Sequence, residues 1–195
     1  AHVFFFEGRY GDALERLEEL GAAGPFRTLV AATAEATRDF RSRASAHFEV
    51  SWGHPKDEVL ADAALEALEA AREALVRELA FEPQGRVRLE IYPTSASFTA
   101  VSTLTRQEVE TSGTIGLCKF DRLMITTPRV TAWGYRWRDT LCHEYVHLAL
   151  YRLTHGAAPS TWRRAGAGCW GSWSPPGRRC STGAWKPAPS SPWRP

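Results

Sequence analysis

After Glu144 the chain contains no aspartate or glutamate, so no carboxylate-based site can be assembled from its last 51 residues. Long apolar runs are also lacking. No stretch approaches the ~18 residues that mark a spanning helix. The four cysteines, Cys118, Cys142, Cys169 and Cys180, include no C-x-x-C pair, which argues against a zinc ribbon or a thioredoxin-type site. The opening "AHVFFFEGRYG" has no Met, no basic n-region and too short an apolar core for a signal peptide. It reads as a segment of a longer chain, which leaves the compartment open.

The 195 residues suffice for one good hydrophobic core, or a core domain with a small appendage. The formal charge of +2 conceals an uneven split, because residues 160–195 hold six basic residues and no acidic one. The rest of the chain is therefore net acidic. In "GRYGDALERLEELG", Leu14, Leu17 and Leu20 fall at helical spacing and Gly21 supplies a stop. A second helical stretch runs from Thr28 to about Arg43. "AHFEVSW" alternates Phe48, Val50 and Trp52 with polar residues, the period of a half-buried strand. From Asp57 to Ala80, Leu60, Ala64, Leu68, Ala71, Leu75 and Leu79 recur at spacings of three and four, the pattern of an amphipathic helix.

"RVRLEIY" gives a further strand, ended by Pro93, and short helical possibilities lie around Phe98 and Val101. Thr114 to Lys119 and Arg122 to Thr126 are two strand candidates joined by Phe120 and Asp121, which predicts a tight hairpin. The order of elements implies an α+β fold with a small mixed sheet packed on a long helix and on a second, buried helix. Three regions follow: a helical segment over 1–43, a core domain over 44–159, and an irregular basic, Trp- and Pro-rich tail over 160–195.

The second helix carries the chemistry. In "LCHEYVHLAL", His143 and His147 stand four apart with Glu144 directly after the first. With Asp139 as N-cap and an end near Leu153, the two imidazoles share one helix face. Neutral histidine nitrogens hold zinc at about 2.0–2.1 Å, and catalytic sites use three protein ligands. Glu144 is placed to take a proton from a water attacking a carbonyl carbon. Leu141, Cys142, Val146, Leu148, Ala149, Leu150 and Leu153 surround the helix, and ionisable side chains there are costly unless a metal or hydrogen bonds satisfy them. Cys142 reads as a small buried hydrophobe. Tyr135 and Tyr151 are either oxyanion stabilisers or packing residues.

The string "TSGTIGLCK…LMITTPR…WGYRWRDTLCHEYVHLAL" resembles the gluzincin metallopeptidases of the peptidase MA-like superfamily, some of which are attached to tetratricopeptide repeats. The G-x-Y-x-x-A-L order at Gly8, Tyr10, Ala13 and Leu14 is similar to half of such a repeat. The resemblance covers residues 46–159. It implies a zincin-like fold, Zn2+ as cofactor, His143 and His147 as metal ligands, Glu144 as catalytic base, and a peptide or protein substrate. It also implies that the strand Thr114 to Lys119 lines the substrate cleft. The family's third ligand is a glutamate in a later helix, usually shortly after a proline, and this chain lacks it. His155 is the only histidine after His147 and thus the one substitute in its class. A metzincin extension fails, since Leu150 and Leu153 occupy the positions that need Gly and His.

Residues 160–195 contain no Leu, Ile, Val, Met or Phe, yet hold five of the eight tryptophans and six prolines. Such composition does not build a core. It reads like a wrong-frame translation of a GC-rich gene. Thr161-Trp-Arg-Arg-Ala165 written ACN-TGG-CGG-AGG-GCN, read from the third base, becomes NTG-GCG-GAG-GGC, in which Ala-Glu-Gly follows a Leu, Met or Val. That frame supplies a glutamate just after Pro159. The rival expectations are a native basic tail offered to nucleic acid or anionic membrane, which has no motif to support it, and a non-catalytic scaffold whose helical N-terminus recruits a protein partner. No nucleic-acid partner is expected.

Overall fold

The computed structural model describes residues 1–102 and 115–154, together with Leu104, Thr105, Gln107 and Val109. The expectations placed on Thr114, His155 and the tail lie outside these residues. Three N-terminal helices, α1 (His2–Phe6), α2 (Tyr10–Glu19) and α3 (Pro25–Thr37), precede strands β1 (Arg41–Ala44) and β2 (Phe48–Trp52). A 3-10 turn at Pro55–Asp57 leads into α4 (Glu58–Leu79), and β3 (Val87–Tyr92) and α5 (Ser95–Ser102) follow. The hairpin of β4 (Gly116–Lys119) and β5 (Arg122–Thr126) precedes α6 (Trp137–Leu153).

The five strands form one mixed sheet in the order β1-β2-β3-β5-β4. Strands β2, β3 and β5 run parallel at its centre, and β1 and β4 are antiparallel edges. The centre is covered on both faces, so β5 is buried at every residue and β3 at all but Arg88. The edge β1 is mostly exposed. The molecule is therefore α+β, with a small mixed sheet carrying α4 and α6 in one hydrophobic cluster with β2, β3 and β5.

Ala61, Ala64, Ala67 and Ala71 give α4 a smooth buried face, on which Leu65 and Leu68 provide the bulk. On α6, Leu141, Cys142, Tyr145 and Leu148 complete the same core. A second cluster joins Tyr92 and Met124 to Phe98 and Val101 of α5.

The helices α1, α2 and α3 share a core of Phe5, Tyr10, Ala13, Leu17 and Val30. They are tied to the sheet by a buried polar network. Arg122, fully buried, donates to Glu90 at 3.3 Å and also to the Tyr10 hydroxyl. Glu90 accepts from Tyr10 and, at 2.6 Å, from Tyr92. The guanidinium lies over the rings of Phe5, Tyr10 and Phe120.

The structure changes three local expectations. The second N-terminal helix ends at Thr37, and residues 41–43, placed by the sequence in the helical segment, form β1 together with Ala44 and pair with β2. Asp139 is not the N-cap of α6, because helix begins at Trp137 and Asp139 sits in its first turn, 2.5 Å from Arg136. Strand β4 begins at Gly116. The hairpin expectation holds in detail: Phe120 and Asp121 both have φ near +57°, the primed-turn geometry that matches the twist of flanking strands.

Candidate metal centre

Helix α6 packs on β4, β5 and α4. Its start follows the end of β5 through the turn at Pro128–Val130. At the other end Arg152 forms a two-pronged pair with Asp121 in the β4–β5 turn, at 2.8 and 2.7 Å. The helix is thereby fixed at full length along the hairpin. Leu141, Cys142, Tyr145, Val146, Leu148 and Ala149 are buried, whereas His143, Glu144 and His147 are half-buried. The three candidate residues thus stand on the one face that the core leaves open.

The two imidazoles converge. His143 Nε2 and His147 Nε2 are 3.0 Å apart, with ring centroids at 4.6 Å and ring planes at 80°. Two nitrogens bound to one tetrahedral zinc at 2.0–2.1 Å stand about 3.3 Å apart, so the pair lies within a few tenths of an ångström of that spacing. Burial lowers the pKa of both histidines, and for His143 the neighbouring His147 adds to it. The neutral, metal-binding form is favoured at neutral pH. The donor set fits two ligand positions of a zinc ion. Among the described residues no group of three His, Cys, Asp or Glu could hold a metal.

Glu144 faces the edge strand. Burial pushes its carboxyl up to about 7, against the lowering effect of a hydrogen bond from the Cys118 backbone in β4. A carboxyl group that titrates near the working pH is suited to exchanging protons. Gly116 permits this approach, a role that the sequence reading missed. A Cβ there would stand 2.7 Å from Thr140 Cγ2 and 3.3 Å from Glu144 Cγ. The available signal was a glycine inside a strand pattern, which often marks close approach by another element. Gly116→Val is expected to cost about 1–3 kcal/mol by overpacking, measured as a lower urea midpoint. An unchanged midpoint would show that β4 and α6 have room to separate.

The remaining candidates are placed individually. The Tyr135 hydroxyl donates to the Thr126 carbonyl at the end of β5, and burial pushes its pKa up to about 12. It anchors the loop that leads into α6. Tyr151 is 59% exposed, one turn beyond His147. Cys142 is buried in the core and its Sγ lies 3.9 Å from the Ala67 carbonyl oxygen, consistent with a packing role. Asp57, which the sequence marks only as the start of a helix, is buried and accepts from Thr127 at 2.7 Å and from Arg129 twice at 2.8 Å. It ties the start of α4 to the segment between β5 and α6.

No family model matches the chain, and no curated protein and no solved structure is significantly similar to it. No helix among the described residues is long and apolar enough to cross a membrane.

Proposed function

We propose that the domain is a zinc-dependent peptidase of gluzincin type and zincin-like fold, and that this chain is impaired by loss of its third metal ligand. The single observation that carries the reading is the convergence of His143 Nε2 and His147 Nε2 on the helix that also carries Glu144, next in sequence to the first of them. His143 and His147 would hold the metal. Zinc, when bound, supplies Lewis-acid activation of water and of a substrate carbonyl. Glu144 takes the proton from the attacking water and returns it to the leaving amine nitrogen. The edge strand β4, which holds Glu144 through Cys118, supports the reading of a peptide aligned along the sheet edge.

The missing ligand is accounted for by a shift of reading frame near Ser160, which replaces the glutamate of the alternative frame with Arg163 and Arg164. Two measurements test this. The nucleotide sequence is expected to read CGG-AGG at those arginines; other codons end the frameshift account. In zinc titrations the present chain is expected to bind weakly and the frame-restored chain at least a hundredfold more tightly, because even an outer-sphere partner is worth about 10–100-fold in metal affinity. His147→Ala should reduce binding sharply in both chains. Equal affinity of the two chains would favour the second reading, a non-catalytic scaffold.

A further inference from the structure

A cavity of about 400 Å³ lies away from the histidine pair, at the edge of the sheet where the parallel strands begin. Its position follows from strand register. Because Phe48 pairs with Val87, the preceding residues His47 and Arg86 are brought to the same edge, and the Val87 amide donates to the His47 carbonyl at 2.8 Å. Arg72 enters from α4 and Glu82 from the turn that follows it. Gly85, at φ +75°, completes that turn, and Arg152 of α6 donates to the Gln84 carbonyl at 3.0 Å. The wall is fixed by three elements.

Two features of this cavity point to an anionic occupant. First, the Arg72 guanidinium is nine-tenths buried, yet its ion-pair partner is the carboxylate of Glu82, whose side chain is 62% exposed, at 2.6 Å. A carboxylate already occupies that position, from a side chain with little to hold it there. Second, Arg86 lines the cavity with no hydrogen-bond or ion-pair partner among the described residues. Glu69 is not a competitor for the arginines, since it accepts from Ser45 and from the His47 backbone and pairs with His47 Nδ1 at 2.8 Å.

We propose that this cavity binds a small oxyanion-bearing molecule, a carboxylate or a phosphate, between Arg72 and Arg86, with Glu82 swinging out to admit it. Guanidinium groups match planar and tetrahedral oxyanions through paired N–H donors. The volume is that of a small-molecule site.

The test is calorimetric titration of the full 195-residue chain at constant ionic strength, with citrate in one arm and inorganic phosphate in the other. Saturable one-to-one binding is expected in at least one arm, and the arm that binds identifies the oxyanion. Arg86→Gln, at an exposed position that leaves the fold intact, should weaken binding about tenfold or more, as loss of a charged hydrogen-bonding partner does. Glu82→Gln should tighten it several-fold by removing the internal competitor. No saturable binding in either arm, or one affinity shared by the parent chain and both variants, would overturn the proposal. None of these outcomes depends on zinc or on peptidase activity.

Discussion

Replacing Arg122 by alanine is expected to destabilise the protein by about 3–5 kcal/mol, the cost of leaving a buried charge without its partner. The Glu90 carboxylate is 4% exposed and would keep only the hydroxyls of Tyr10 and Tyr92. Three aromatic rings would also lose the cation they enclose. Against a typical total stability of about 5–15 kcal/mol, that loss is a large share, and urea denaturation would register it as a much lower midpoint. The double variant Glu90→Gln/Arg122→Met should recover part of the loss, since neither charge is then stranded. A single variant within about 1 kcal/mol of the parent would mean that the network is dispensable and that α1, α2 and α3 dock through apolar contacts alone.

The network also explains a limit of the sequence reading. In "RVRLEIY" Arg88 and Glu90 alternate with Val87, Leu89 and Ile91, the pattern of a strand's polar side, and Arg122 opens the strand candidate beside it. In the fold, that face is covered by the N-terminal helices, and Glu90 and Arg122 are the buried side chains that pair beneath them. Alternation identifies a strand but does not say whether its polar side meets water or another layer. The helix α4 and strands β2 and β3 were legible because their apolar residues keep one period along the element, and β5 because Leu123, Met124 and Ile125 form a short apolar run after a turn. Strand β1 was not, because Arg41, Ser42 and Arg43 carry no alternating apolar signal and form an edge held by its pairing with β2.

The candidate site divides in the same way. His143, Glu144 and His147 were legible from spacing alone, because a helix fixes residues four apart on one face whatever surrounds it. Gly116 and the Cys118 backbone were not, since their contact with Glu144 depends on how β4 lies against α6. Arg72 and Arg86 belong to the same class. They are fourteen positions apart in sequence, on a helix and at a strand edge, and only the parallel register of β2 and β3 brings the elements around one cavity.

Glu144→Gln in the frame-restored chain is expected to lower kcat/KM for a peptide substrate by about 10²–10⁴, the range of general acid–base catalysis. The substitution preserves shape and retains an acceptor for the Cys118 backbone donor, so zinc affinity should change by no more than a few-fold. That pairing of outcomes separates a base from a ligand. Loss of a ligand removes metal and activity together, whereas loss of the base removes activity from a metal-loaded protein. KM should be little affected, because the proton is transferred at the transition state and not on binding. Hydrolysis that persists at a tenth or more of the parent rate would transfer the role of base to another group, and loss of zinc along with activity would make Glu144 a ligand. In the present chain, with two histidines and no later carboxylate, peptide hydrolysis should be weak before any substitution is made, which is why the restored frame is the background in which the carboxyl can be judged.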